Sequence, residues 1–173
     1  LEKHLCDQKI LKNLYKKCLM EIEMSKLTHF DNLGNPKMVD VSEKDQTKRI
    51  ADAIGYVHMK KETLNTIIDK RIEKGDVFLI ARIAGIMASK QTSSIIPLCH
   101  PIIIDKVSVD IFPEINKSRV VISSSIVCRG STGVEMEALT AVSVSALTIY
   151  DMCKSIDRAM EIREIKLIKK SGG

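Results

Sequence analysis

The sequence is poor in aromatic residues. It contains no tryptophan, and aromatic side chains make up 3% of its 173 residues. Proteins that bind single-stranded nucleic acid usually stack the bases on aromatic side chains, and no zinc-finger or RNA-recognition signature is present. The net charge of +5 suits an anionic ligand such as a phosphate ester. These features disfavour a nucleic-acid partner and favour a small anionic one.

The sequence also lacks two further features. It has no pair of cysteines at metal-binding spacing, and it has no long apolar run. The five cysteines form no CxxC pair, which removes the strongest cysteine-based signal for a metal. An odd, scattered set of cysteines without a legible secretory signal is expected to stay reduced. No segment approaches the roughly 20 apolar residues that a membrane helix needs. We therefore expect a cytoplasmic protein with no metal site and no membrane partner.

The chain is long enough for one domain with a sizeable core. Leu5, Leu11, Leu14 and Leu19 recur near helical spacing, which predicts a helical extension over residues 1–26. We expect the remaining residues, 27–173, to form a single domain.

The hydrophobic pattern of that domain predicts an α+β fold. Two alternating segments, "IDKVSVDIF" and "RVVISSSIVC", predict a β-hairpin. Asp76 is placed to cap a helix that Pro97 must stop. In chain order the pattern predicts a strand over 53–59, a helix ending near Gly75, a helix over 77–93, the hairpin, a helix from Val134 and a strand over 164–170. This order is typical of a ferredoxin-like subunit with an antiparallel sheet covered by helices.

The helix from Val134 is apolar nearly all round but carries Glu135, Glu137, Asp151 and Lys154. Glu137 and Asp151 lie within about 40° of one face but roughly 21 Å apart along the axis. Two carboxylates at that distance cannot act on one atom, so either only one is catalytic or each belongs to a site completed by another chain. Asp151 and Lys154, at i,i+3 spacing, can touch, and such a pair is a candidate acid and base.

The segment "RGSTG" before this helix is typical of an anion-binding turn. Its glycines permit close backbone approach, Ser131 or Thr132 can cap the helix, and the helix N-terminus favours negative charge. A capped turn with no ligand has the same pattern. Lys74 and Lys90 add cations near other helix ends.

The segment "PLCHP" places Cys99 beside His100 within an apolar run. A metal would need further ligands, and the other histidines show no ligand spacing with His100. Adjacent residues of an extended segment point to opposite faces, which argues against a nucleophile with its base. Ordinary core and a pocket-facing residue both remain open.

Four strings together resemble the molybdenum cofactor biosynthesis protein C family, the cyclic pyranopterin monophosphate synthases. They are "KMVDVS", "KGDVFLIARIAGIMASKQTSSIIPLCHP", "GSTGVEMEALTAVSVSALTIYDMCK" and "IKLIKKSGG". The resemblance implies a lyase that converts 3′,8-cyclo-7,8-dihydro-GTP into cyclic pyranopterin monophosphate and releases pyrophosphate. It also implies a homohexamer, a trimer of dimers, with active sites at subunit interfaces.

The resemblance also implies roles for individual residues. Asp151, Lys154 and Lys74 fall on catalytic positions. No cofactor is expected to be required, although Mg²⁺ can accompany the phosphates. The implied substrate-binding residues are Leu98, Cys99, His100, Met136, Glu137, Lys90 and Lys170. A non-catalytic GTP- or pterin-binding oligomer of the same fold is the alternative.

Overall fold

A computed structural model describes residues 35–172. The chain divides into two compact units, residues 1–39 and 40–173, and all the helices and strands below belong to the second. The predicted helical extension over 1–26, and its boundary with the domain, lie outside the described residues.

The second unit contains four strands and four helices among its described residues. In chain order they are β1 (Thr47–His58), α1 (Lys61–Ile68), α2 (Val77–Ser89), the short α3 (Thr92–Ile95), β2 (Ile104–Glu114), β3 (Arg119–Gly130), α4 (Glu135–Cys153) and β4 (Glu161–Ser171). A 3₁₀ turn over Ile115–Lys117 joins β2 to β3.

The strands form one antiparallel sheet in the order β2-β3-β1-β4. β1 pairs with both β3 and β4, and β2 pairs with β3. β1 and β2 therefore run parallel with β3 between them, and β3 and β4 run parallel with β1 between them. Two such interleaved βαβ units are the ferredoxin-like topology, so the predicted fold is confirmed.

The core lies between the sheet and the helices. Alternate residues of β1 are fully buried, among them Ala51, Ala53 and Val57, because successive side chains of a strand point to opposite faces. α4 packs across β1, β3 and β4, and α2 packs against α4 and β2. This packing holds α4 against the sheet.

Several predicted boundaries are wrong. β1 begins at Thr47, six residues before the predicted Ala53, because it is a central strand paired over its whole length with β3. The helix predicted to end near Gly75 ends at Ile68, because Lys70 adopts a left-handed φ of 54° that a helix cannot continue through. The helix predicted over 77–93 breaks after Ser89.

The Asp76 cap is confirmed, since its carboxylate accepts the backbone N–H of Leu79 at 3.1 Å. Within the described part of the chain, no helix combines the length and apolar character needed to cross a membrane.

Candidate active site

The C-terminal end of α4 carries a cluster of two lysines on one carboxylate, here called the lysine–aspartate cluster: Lys74, Asp151 and Lys154. Lys154 Nζ lies 2.7 Å from Asp151 Oδ1, so the contact expected from their i,i+3 spacing is confirmed. Lys74 Nζ lies 3.3 Å from Asp151 Oδ2 and 2.9 Å from the Asp151 backbone oxygen. The loop after α1 thus brings Lys74 to a residue that is 77 positions away in sequence.

The lysines and Asp151 stabilise each other's charged forms. Hydrogen bonds from Lys154 and then Lys74 hold the pKa of Asp151 below its usual value, and the bond to Asp151 raises the pKa of Lys154. All three side chains are about half exposed or more. Exposed ion pairs add little stability, so these three side chains contribute little to folding and are accessible to a ligand.

Cysteine chemistry is disfavoured near both ends of α4. Burial raises the pKa of Cys153 to about 11, and burial together with the charge of Glu137 raises the pKa of Cys99. A thiol rather than a thiolate therefore prevails at both positions, and the thiolate is the nucleophilic form.

The opposite end of α4 carries the α4 N-terminal cluster: Arg49, Glu135, Glu137 and Lys170. Lys170 Nζ forms an ion pair with Glu135 Oε1, because β4 pairs Lys170 with Ala51 of β1 and so ends beside the start of α4. Arg49 is 8% exposed and donates to the backbone oxygens of Gly130 (3.1 Å) and Ser131 (3.3 Å). Arg49 therefore shapes the turn that precedes α4.

Glu137 is the buried member of this cluster, at 3% exposure. Among the described residues its Oε2 atom has no hydrogen-bond partner. Burial, opposed by a backbone hydrogen bond, raises the pKa of its carboxyl group. A buried polar atom without a partner is costly, so Glu137 is a candidate to meet a ligand group.

The predicted capping of α4 by Ser131 or Thr132 is wrong. The N-cap residue, Val134, provides no side-chain bond, and the Ser131 hydroxyl instead donates to the Lys44 backbone oxygen at 3.0 Å. The Glu135 carboxylate accepts its own backbone N–H and lies over Gly133, where an added Cβ would stand 2.0 Å from Oε2. An internal carboxylate thus occupies the predicted anion-binding turn.

The segment "PLCHP" is half-buried at Leu98, Cys99 and His100. The effect of the Glu137 charge on the pKa of Cys99 places this segment near the α4 N-terminal cluster. His100 lies close enough to Asp40 to help lower its pKa, after the stronger hydrogen bonds from Ser42.

Two further predicted residues are exposed. Met136, 38% exposed, lies in the first turn of α4 between the two glutamates, and Lys90 follows α2 with an exposed side chain. In the part of the chain that the structure describes, no ion pair or hydrogen bond joins Lys90 or Met136 to either cluster. Their predicted substrate-binding roles stay predictions.

The two clusters are separate in one chain. α4 runs without interruption from Glu135 to Cys153, and Glu137 and Asp151 are about 21 Å apart along it at 1.5 Å per residue. A cleft of about 360 Å³ beside α1 and α2 is lined by residues from neither cluster: Ile67, Ile68, Lys70, Asp76, Phe78, Leu79, Arg82 and Pro113. Over residues 35–172, no three His, Cys, Asp or Glu side chains are grouped to hold a metal ion.

Comparison with known proteins identifies the family. The MoaC family model matches residues 38–173. The chain belongs to the MoaC family. Relatives named cyclic pyranopterin monophosphate synthase come from Rhodospirillum rubrum, 53% identical over 85% of this chain and 89% of the relative, and from a Thermoanaerobacter species, 56% identical over 85% and 93%. A third, from Clostridium perfringens strain 13, is 55% identical over 86% and 94%.

Arg49 is a residue of this MoaC-family chain that sequence reasoning missed. The predicted strand began at Ala53, so Arg49 was taken to precede it. With the true start at Thr47, Arg49 shares the buried face with Ala51 and Ala53. A charged residue in phase with a buried face is the signal that could have found it. Glu135 was noted as a helix charge, but its pairing with Lys170 depends on the β1–β4 register.

Proposed function

We propose that the protein is a cyclic pyranopterin monophosphate synthase, a lyase of molybdenum cofactor biosynthesis. In this reaction 3′,8-cyclo-7,8-dihydro-GTP becomes cyclic pyranopterin monophosphate and pyrophosphate. Family membership and the names of relatives at 53–56% identity support the proposal. The observation that carries it is the contact of Lys74 and Lys154 with the single carboxylate of Asp151.

Proton transfer is the first task of the lysine–aspartate cluster. Opening the cyclised purine and building the pterin requires protons to be removed and returned at several atoms. In the free protein Asp151 is ionised and Lys154 is protonated, which are the forms that a base and an acid need. The hydrogen bond between them also makes Asp151 a weaker base and Lys154 a weaker acid. A positioned acid or base of this kind contributes about 10²–10⁴-fold to rate.

Phosphate transfer is the second task. A hydroxyl group of the substrate attacks the innermost phosphorus, a new P–O bond forms, and the bond to pyrophosphate breaks. The attack is intramolecular, so holding the two ends in place supplies much of the acceleration. Lysine ammonium groups, such as those of Lys170 and Lys90, can bind the triphosphate and stabilise the charge on the departing pyrophosphate.

We further propose that each active site combines two copies of the chain. The lysine–aspartate cluster of one copy would face the α4 N-terminal cluster and "PLCHP" segment of another. About 21 Å of α4 separates the clusters within one chain, which is why one copy is insufficient. The assembly proposed is a homohexamer, a trimer of dimers. No cofactor is required in this proposal, and Mg²⁺ can accompany the phosphates.

The remaining expectations are proposals of the same kind. Cys99, Cys128 and Cys153 are free thiols, which supports a location in the reducing cytoplasm. A small GTP-derived substrate, rather than nucleic acid or a membrane, is the proposed partner.

The test compares two lysines with the same local geometry. Lys154 and Lys117 each lie 2.7 Å from a carboxylate at i,i+3 spacing, and both are exposed. With 3′,8-cyclo-7,8-dihydro-GTP as substrate, we expect Lys154→Ala to lower the rate of pyrophosphate release about 10²–10⁴-fold and Lys117→Ala to leave it near that of the unmodified protein.

Two results would contradict the proposal. An unmodified protein that binds GTP but releases no pyrophosphate from 3′,8-cyclo-7,8-dihydro-GTP would favour the non-catalytic alternative. A fully active Lys154→Ala variant would remove the lysine–aspartate cluster from the chemistry.

A further inference from the structure

Asp157 lies three residues beyond Lys154, in the loop that follows α4. It is 2% exposed, which is rare for an aspartate. Its Oδ2 atom accepts the Lys60 backbone N–H at 2.9 Å and the Thr63 hydroxyl at 3.1 Å. Its Oδ1 atom accepts the Ala159 backbone N–H at 3.1 Å. A buried carboxylate is tolerated because these three donors satisfy it.

These bonds connect two distant parts of the chain. Lys60 and Thr63 belong to the start of α1, whose own N-cap residue makes no side-chain cap bond. Asp157 therefore supplies, from 94 and 97 positions away, an acceptor that the local sequence of α1 lacks. The loop after α4 and the first turn of α1 are held together at this point.

Each of the two connected segments also carries a lysine of the lysine–aspartate cluster. Lys154 precedes Asp157 in the turn held by the Asp157 N–H bond to the Cys153 backbone oxygen, at 3.0 Å. Lys74 follows α1, six residues after its end at Ile68. Both lysines that contact Asp151 therefore lie on segments that Asp157 joins. Lys154 lies on the turn after α4, and Lys74 lies on the loop after α1.

We propose that Asp157 is a positioning residue that aligns Lys74 and Lys154 on Asp151 for the lyase reaction. It acts through the two segments that it connects and touches no reacting atom. This inference rests on the proposed function, because the reaction is what the alignment would serve. Lysine side chains are long and flexible. If their backbones were not anchored, the ammonium groups of Lys74 and Lys154 would take many positions around the Asp151 carboxylate. Misplacing a catalytic group by 1 Å can cost on the order of 10²-fold in rate.

The central variant is Asp157→Asn, which keeps the size of the side chain and replaces one acceptor oxygen by a donor. We expect kcat to fall about 10–100-fold. KM should change less than about threefold. The groups that bind the phosphates lie elsewhere, so they continue to bind the substrate and the transition state equally well. Asp69→Asn is the matched control, since Asp69 directly follows α1 but is exposed and pairs only with exposed Arg71 among the described residues. It should keep kcat and KM.

A second measurement separates alignment from general damage. Acylation of lysines by an amine-selective reagent, followed by peptide mass spectrometry, reports how much of each amine is unprotonated. Because the bond to Asp151 raises the pKa of Lys154, loosening it should speed acylation of Lys154. Exposed Lys106 on β2 is the internal reference and should react as before.

Thr63→Val keeps the test valid if Asp157→Asn does not fold. It removes one donor to Asp157 while keeping the shape of a buried side chain. We expect a kcat loss of roughly 3–10-fold and faster acylation of Lys154, and the double variant should be no worse than Asp157→Asn because both changes break one network.

Unchanged kcat and unchanged Lys154 acylation in folded Asp157→Asn or Thr63→Val would overturn the proposal. So would a kcat loss without any change in acylation, which would indicate a purely structural role. If the unmodified protein released no pyrophosphate, the proposed function would fail while the acylation comparison would still decide whether Asp157 aligns the lysines.

Discussion

Asp151 and Glu137 are carboxylates on one helix in opposite environments. Asp151 is exposed and held ionised by two lysines, whereas Glu137 is buried and its pKa is raised. In active sites that use both an acid and a base, the environments of the two groups commonly give them different pKa values. The contrast makes Asp151 the carboxyl group that ionises readily and Glu137 the one that is harder to ionise in the free protein.

The buried state of Glu137 predicts a specific pH dependence of stability. Between the ordinary glutamate pKa of about 4.3 and its raised folded value, the folded protein binds more protons than the unfolded chain. The free energy of unfolding therefore falls as pH rises through this window and levels off above it. Each pH unit of the window is worth about 1.4 kcal/mol.

Glu137→Gln should lack this fall, because its amide does not titrate. Urea denaturation of both proteins from pH 4 to pH 8 checks this, and their difference isolates Glu137 from the other titrating groups. The variant should gain stability relative to the unmodified protein as pH rises. Parallel curves would show that burial does not raise the pKa of Glu137.

Sequence alone predicts only part of this residue-scale picture. The contact of Asp151 with Lys154 follows from helical spacing, which is a local property. The contact with Lys74 depends on a loop 77 positions away, and the Arg49 bonds depend on the start of β1. The Lys74 contact has no local signal. The phase of Arg49 with the buried face of β1 marks the residue but does not identify its hydrogen-bond partners.

At the scale of elements, α2 packs closely against α4, the helix between the two clusters. Gly85 of α2 lies against α4 so closely that an added Cβ would stand 2.2 Å from Ser145 Oγ and 2.8 Å from the Ala141 backbone oxygen. The Ser145 hydroxyl also donates to the Ala81 backbone oxygen of α2 at 2.9 Å. The two helices are thus in contact through small residues and a buried hydrogen bond.

Gly85→Ala should therefore destabilise the protein by about 1–3 kcal/mol through overpacking. In an exposed helix the same change would stabilise by about 1 kcal/mol. Neighbouring Ala84→Gly is the control and should cost about 1 kcal/mol from helix propensity alone. Urea denaturation measures both, and a Gly85→Ala variant more stable than the unmodified protein would contradict the close packing.

The order of elements is predictable from the sequence to a greater extent than their ends. Alternation identified the β2–β3 hairpin and a long apolar pattern identified α4, because these patterns repeat over many residues. The ends of α1 and β1 were misplaced. The left-handed Lys70 ends α1 without a glycine or proline, and polar residues at Thr47 and Lys48 obscure the start of β1.

At the scale of the whole molecule, one chain leaves apolar surface uncovered. Leu79, Ile83 and Met87 lie at four-residue spacing on α2 and are 51%, 49% and 62% exposed, and such a surface commonly marks a protein interface. The division of the two clusters between the ends of α4 leads to the same proposal, that another copy of the chain completes each site. Each active site would then use the C-terminal end of α4 from one copy and the N-terminal end of α4 from another.

The central claim is that each active site takes its lysine–aspartate cluster from one copy and its α4 N-terminal cluster from another. The most direct measurement is pyrophosphate release by a co-expressed mixture of Lys154→Ala and Lys170→Ala chains. Each variant alone should be nearly inactive. In two-fold dimers formed at random, one site of each mixed pair carries neither substitution, so about a quarter of the unmodified activity should return. Mixed assemblies, verified by mass spectrometry, that show no more activity than the separate variants would contradict the claim.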